Sequence, residues 1–274
     1  MTSRDALEKS HPIIGIFDSG VGGFSVLVEL FKIFPEAEYY YYSDAAHAPY
    51  GPKSDEFITE RAFVITKELL NKGADLIAVA CNTATASSID ALRLNFPQIP
   101  FVGVEPYLNA YYKESTPSKM AVLTTESTGK SERFKRLKER LDPKGLIDSY
   151  SLRYLARNVE DLYSGKMSVQ EFDTQLESEL LMLKNKQYTH VILGCTHYPL
   201  VKNKIESILS MKALSPCPYV ASRVKEMVGL KTINHSNQKA YNSENFYFYS
   251  SEKPEWILKS RADFLGPFNS IRKS

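Results

Sequence analysis

No stretch of this 274-residue chain approaches the roughly 18 consecutive apolar residues that a membrane span needs. The opening, Met1 to Ser10, is polar and mixed in charge and lacks the apolar centre of a secretory signal. Both absences lead to the expectation of a soluble, cytoplasmic protein. Cysteine is scarce as well: Cys81, Cys195 and Cys217 are too few and too far apart for a disulfide framework. Free thiols are usually inert buried hydrophobes, so each needs a reason before it is given a chemical role. An excess of either charge is also missing. The 34 basic and 32 acidic residues leave a formal charge of +2, which argues against a dedicated nucleic-acid or polyanion binder. The densest basic stretch, Lys130 to Arg140, carries Glu132 and Glu139 among its cations and reads as a solvated helix face.

What is present is a core. Apolar residues make up 43% of the chain, enough for one large domain or two compact ones. Short apolar runs alternate with helical segments, the pattern of parallel α/β units. Strands are expected over 13–17, 38–43, 75–80, 101–104, 119–124, 146–151 and 189–193, with a late one at Phe246–Tyr249. Several lack polar alternation, as strands covered on both faces should. Ile58, Ala62, Ile65 and Leu69 share one face of a helix predicted over 55–71. Val169, Phe172, Leu176, Leu180 and Leu183 do the same after the capping-box pair Ser168 and Glu171. Turn-rich stretches at Ser115–Ser118 and Ser215–Pro218 suggest two α/β domains. One would comprise 1–106 with 216–274, the other 107–215, and 234–245 reads as polar and turn-rich.

One internal echo points to chemistry. Leu76 to Ala80 leads into Cys81-Asn82-Thr83, and Val191 to Gly194 leads into Cys195-Thr196-His197. Each time an apolar strand ends, a small residue follows, and a cysteine opens a polar turn. Ligands of parallel sheets bind beyond the strands' carboxyl ends, near helix N-termini. Asp18 through Gly23 and Asp44 through Gly51 fall at such ends too. A helix N-terminus or a cationic histidine lowers a thiol's pKa and supplies thiolate, and both cysteines are placed to gain from this. Two thiols in mirrored settings suit inversion of a stereocentre, one as base and one as acid, with the roles exchanging by direction. Backbone amides around Ser19, Gly51, Asn82 and Thr196 would then hold the substrate carboxylate. Cys217, set between two prolines, has no such context.

Other chemistries compete on the residues alone. Zinc could take Cys195 and His197, although no further ligand pair at metal spacing follows. A cysteine hydrolase could pair either thiol with His197 but leaves the duplication unexplained. The glycines at 20, 22 and 23 miss the dinucleotide pattern because Ser25 occupies the last glycine position.

The motifs then resemble a known family in ordered blocks. These are Ile14 to Gly23, Pro49-Tyr50-Gly51, Ala80 to Ala84, Val102 to Pro106 and Leu193 to Leu200. Along nearly its whole length the chain resembles the glutamate racemases of the aspartate/glutamate racemase superfamily. The resemblance implies two similar parallel-sheet α/β domains with the site in the cleft between them, and no pyridoxal phosphate, metal or other cofactor. It implies that Cys81 and Cys195 are the acid/base pair, with Asp18 and His197 assisting and Glu160 near the second half of the site. It places Asp18, Ser19, Pro49, Tyr50, Gly51, Asn82, Thr83, Thr128, Thr196 and His197 at substrate-contacting positions. Aspartate racemases of the superfamily commonly carry glutamate where this chain has His197, so the likeness is to the glutamate branch. The implied role is supply of D-glutamate for peptidoglycan, with glutamate as the small-molecule partner and dimerisation as a family-level expectation. Another acidic amino acid as substrate, or a non-catalytic amino-acid-binding relative, are the alternatives. Departures from the pattern fall at Phe134, at 152–159 and at Ser215-Pro216.

Overall fold

A computed structural model describes residues 11–109, 119–229, 245–260, 262 and 264–268. The Ser115–Ser118 stretch and residues 234–244 therefore lie outside the described residues. Among the described residues, ten strands form two sheets. The first contains β1 (Ile13–Asp18), β2 (Glu38–Ser43), β3 (Leu76–Val79), β4 (Phe101–Gly103), β9 (Asn245–Ser250) and β10 (Lys253–Ser260), in the order β10-β9-β2-β1-β3-β4. The second contains β5 (Met120–Thr125), β6 (Ile147–Leu152), β7 (His190–Gly194) and β8 (Lys212–Leu214), in the order β6-β5-β7-β8. All pairings are parallel except that of β10 with β9.

The apolar strands are covered on both faces, and the pleat sorts their side chains. In β1, Ile14 and Ile16 join one core cluster while Phe17 joins another. In β3, Leu76 and Ala78 divide from Ile77 and Val79 in the same way. One face is packed by α1 (Phe24–Ile33) and α9 (Cys217–Gly229), the other by α2 (Asp55–Asn71) and α3 (Asn82–Asn95). The α2 helix spans the predicted 55–71, begins at a Ser54 cap that accepts from the Phe57 N–H, and buries the predicted apolar face. Each large aliphatic side chain buried there contributes about 1.5–3 kcal/mol. The second sheet carries α4 (Glu126–Lys130), α5 (Glu132–Leu141), α6 (Leu155–Tyr163), α7 (Val169–Leu180) and α8 (Lys202–Leu209).

Some expectations need correction. The capping box at Ser168 and Glu171 is present, but Val169 is exposed: it occupies the first helical position and turns outward. Strands β8 and β10 were not anticipated, the first being three residues long and the second an edge strand with mostly exposed side chains. The late strand at Phe246–Tyr249 does form. It adds to β2 through stacked rings, Tyr40 on Tyr247 at 4.6 Å and Tyr42 on Tyr249 at 4.5 Å.

In each sheet the two strands that follow the first one in the chain lie on opposite sides of it: β1 between β2 and β3, and β5 between β6 and β7. A crevice opens at the carboxyl end of such a switch point. The two crevices supply one cavity.

Candidate active site

Asp18 closes β1 and is fully buried. Its Oδ1 accepts the Gly20 N–H at 2.8 Å, and its Oδ2 accepts the Thr196 hydroxyl of the other half at 3.1 Å. The glycines that follow are steric clearances. A Cβ on Gly20 would overlap the Glu160 carboxylate, and one on Gly22 would overlap the His197 ring. The first half therefore presents bare backbone where the second half's polar side chains arrive.

Cys81 is the N-cap of α3, its Sγ accepting the Ala84 N–H at 3.4 Å, and the thiol points to Ser19 Oγ at 3.9 Å. Sequence reasoning expected a helix N-terminus to lower this thiol. The opposite holds. Burial pushes the Cys81 thiol well above its ordinary value and the nearby Asp18 adds to the rise, while the Ala84 N–H only opposes them. The thiol form is thus favoured at Cys81.

Cys195 sits in a different environment. Its Sγ lies 3.7 Å from His197 Nδ1, and His197 Nε2 lies 2.6 Å from Glu160 Oε1. The same Glu160 oxygen accepts the Val21 N–H of the first half at 2.7 Å. Burial pulls the His197 imidazole down, but the bonds to Cys195 and Glu160 win and hold it well above the usual histidine range. Asp18 is raised, chiefly by burial, with His197 opposing and Glu160 reinforcing.

The two cysteines line one cavity of ≈ 20 Å³, room for about one water molecule. Ser19, Pro49, Tyr50, Gly51, Asn82, Thr83, Glu160, Thr196 and His197 line it with them, and the Ala48–Pro49 peptide is cis. Two expected residues stand behind the wall. Asp18 touches the cavity only through its partners, and Thr128 hydrogen-bonds Thr83 at 3.3 Å from outside the lining. Thr125, 3.2 Å from Thr83, is on the wall instead and was not singled out. The Thr-x-x-Thr spacing was its signal: Thr125 caps α4 by accepting from the Thr128 N–H, which turns its hydroxyl to the cavity. Asp44 was noted only as the start of the Asp44–Gly51 stretch, and its partner Arg61 was missed. Asp44 is fully buried, takes Arg61 at 2.9 and 2.8 Å and the Tyr50 hydroxyl at 2.6 Å, and so fixes Tyr50 in the wall.

Among the described residues, ligand atoms of Asp18, Glu160 and His197 lie within 4.8 Å of one another. Both Asp18 oxygens, Glu160 Oε1 and both His197 ring nitrogens are already engaged by Gly20, Val21, Thr196, Cys195 and each other. Cys217 does not line the cavity; its thiol points to Ser25 Oγ at 3.3 Å, and burial pushes it up to about 11.

A family profile described as Asp/Glu/Hydantoin racemase matches residues 23–224. The chain belongs to that family. A glutamate racemase of Clostridium perfringens is 35% identical over 251 residues, covering 92% of this chain and 95% of its own. Glutamate racemase 2 of Bacillus subtilis is 33% identical over 242 residues, covering 87% and 88%. Among solved structures, a glutamate racemase of Bacillus anthracis superposes with a TM-score of 0.75 at 28% identity, over 96% of this chain and 93% of its own. The Escherichia coli glutamate racemase, solved with L-glutamate and an activator, superposes at 0.77 and 25% identity over 96% and 94%. These likenesses extend across both sheets, so the racemase family accounts for the two crevices as well as the motifs within them.

Proposed function

We propose that this chain is a glutamate racemase that interconverts L- and D-glutamate by proton transfer between two thiols, without a cofactor. The observation that carries the reading is the pair of strand-end cysteines, one from each sheet, on the wall of one small buried cavity. One thiolate removes the Cα proton and the opposite thiol returns one to the other face; in the reverse direction the roles exchange. The two thiols are prepared differently. The Cys195 sulfur stands 3.7 Å from the His197 ring, which is held well above the usual histidine range, whereas burial keeps Cys81 protonated and ready to donate. The free N–H groups at the start of α3, with Ser19, Thr83 and Thr125, offer donors to the substrate carboxylates. The cavity excludes water around the carbanionic transition state. At ≈ 20 Å³ it also excludes the substrate, so the halves must part to admit it. On the same reading 1–106 with 216–274 and 107–215 act as the two domains. The enzyme works in the cytoplasm as a homodimer and supplies D-glutamate for peptidoglycan.

Metal-free protein incubated with L-glutamate in deuterated water should lose optical rotation and gain deuterium at Cα together. Cys81→Ala and Cys195→Ala should each lower racemisation by on the order of 10²–10⁴-fold. Substantial turnover in either single variant would reject the two-thiol assignment. Activity confined to aspartate, or binding without exchange, would reject glutamate racemisation itself.

A further inference from the structure

A groove of ≈ 350 Å³ runs along the seam between the halves, beside the catalytic cavity. One side is formed by the segment after β2 together with β9 and β10, the other by α6 and the turn that follows it. Ala48, Pro49 and Glu160 line both the groove and the cavity, so a single layer of residues separates the two spaces. Parting the halves would join them.

The groove's charge is lopsided once existing pairs are removed. Glu160 is committed to His197 and Val21, and Asp161 faces Arg157 at 3.5 Å. That leaves Lys166, Lys253 and Lys259 against Glu252. Lys259 is the informative one. Its ammonium stands 4.3 Å from the centre of the Phe248 ring, half-buried. Among the described residues no carboxylate lies within ion-pair distance of it, and burial lowers its pKa without an acidic neighbour to oppose the shift. An ammonium held on an aromatic face and partly removed from water gains from an arriving carboxylate. A cleft lined by one sign of charge also concentrates the oppositely charged ligand.

We propose that this groove is the receiving vestibule for the dicarboxylate substrate, with Lys259 as its inner capture cation and Lys166 and Lys253 at its rim. The inference rests on the glutamate reading of the neighbouring cavity and gives that reading its route of entry. Neither product nor substrate differs in charge, so both enantiomers use the vestibule alike.

The test is kcat/KM for L- and D-glutamate as a function of ionic strength. In the wild-type protein it should fall as salt rises. Lys259→Met, which keeps the apolar stem on Phe248, should lower kcat/KM about threefold at low salt in both directions, with a smaller change in kcat. Lys259→Glu should lower it about tenfold, and both variants should flatten the salt dependence. Glu252→Lys, on the exposed rim, should raise kcat/KM about twofold and steepen the slope. It supplies a test of opposite sign if the charge reversal fails to fold. An active wild-type enzyme whose kcat/KM ignores salt and all three substitutions would overturn the vestibule and leave the racemase reading intact. A wild-type protein inert on both enantiomers would overturn both.

Discussion

His197 is subject to two opposed demands, and their balance sets the character of the Cys195 half. Burial favours the neutral ring, while contacts with the Cys195 sulfur and the Glu160 carboxylate favour the cation and prevail. The folded protein therefore binds a proton at pH values where the unfolded chain, with its histidine near the ordinary 6.5, has released it. The resulting stabilisation is complete below that unfolded value and is lost as pH rises through the higher folded one. Glu160→Gln should bring the His197 pKa down, observable in an NMR titration of the ring. It should also cost about 2 kcal/mol in urea melts below the unfolded histidine pKa, the worth of a charge-assisted hydrogen bond, and less as pH rises. An unmoved His197 titration would mean that Glu160 does not tune the ring. Asp44 shows the reverse sign. Burial would raise its carboxyl, but Arg61 and Tyr50 outweigh burial and hold it below 3.8. Its contribution is present above the unfolded value and lost as pH falls through the folded one. Asp44→Ala, which strands a part-buried arginine, should cost about 3 kcal/mol at neutral pH. Urea melts of the variant and the wild type should converge in acid, and a constant difference down to low pH would contradict the assignment.

The α6 helix brings Glu160 to the site, yet it begins at Tyr154 without a side-chain cap of its own. Glu179, from α7, supplies the missing acceptor: its Oε1 takes the Tyr154 N–H at 2.7 Å. A carboxylate at this end also faces the positive end of the helix dipole. Glu179→Ala should cost about 1 kcal/mol, the usual worth of a cap, and shift Glu160 away from His197. Glu179→Gln should recover most of the stability, since the amide oxygen still accepts. Equal kcat and His197 pKa in Glu179→Ala and the wild type would show that the cap carries no positional role. This contact connects residues 25 apart and leaves no pattern in the sequence; the stretch 152–159 shows only a departure from the family's usual residues. What was legible had a period or an order. The strands at 13–17, 38–43 and 189–193 announced themselves because parallel strands buried on both faces are continuously apolar. The strand-cysteine echo revealed both crevices because each strand must deliver its cysteine at the same carboxyl end. Strand β10 gave no such signal, since Pro254 and exposed side chains suit an edge and look like a loop. Arg61 was equally silent, being one of several charges on a helix until Asp44 folds against it.

At the scale of the molecule, an apolar cluster shared by both halves backs a few polar contacts around the closed cavity. Thr83 meets Thr125 and Thr128, Asp18 meets Thr196, and Arg133 of α5 grips Glu105 at 2.6 Å and Asp90 at 2.9 Å. The arginine clasp is partly exposed and is worth about 1 kcal/mol, as a well-formed surface network is. On the proposed mechanism, much stronger closure would slow release, while much weaker closure would admit water to the carbanion. The Val21 N–H reports this equilibrium directly, because its acceptor is Glu160 of the opposite half. It should exchange with solvent when the halves part, whereas the N–H of Ile16, in the middle of central strand β1, should wait for deeper unfolding. Arg133→Ala should speed Val21 exchange about fivefold, the equivalent of ~1 kcal/mol, and leave the slower Ile16 exchange nearly unchanged. Saturating D-glutamate should slow Val21 exchange in both proteins by favouring the closed form. Equal rates at Val21 and Ile16, in variant and wild type alike, would show that the seam opens only when the whole first sheet unfolds. Substrate entry would then need a route other than parting of the halves.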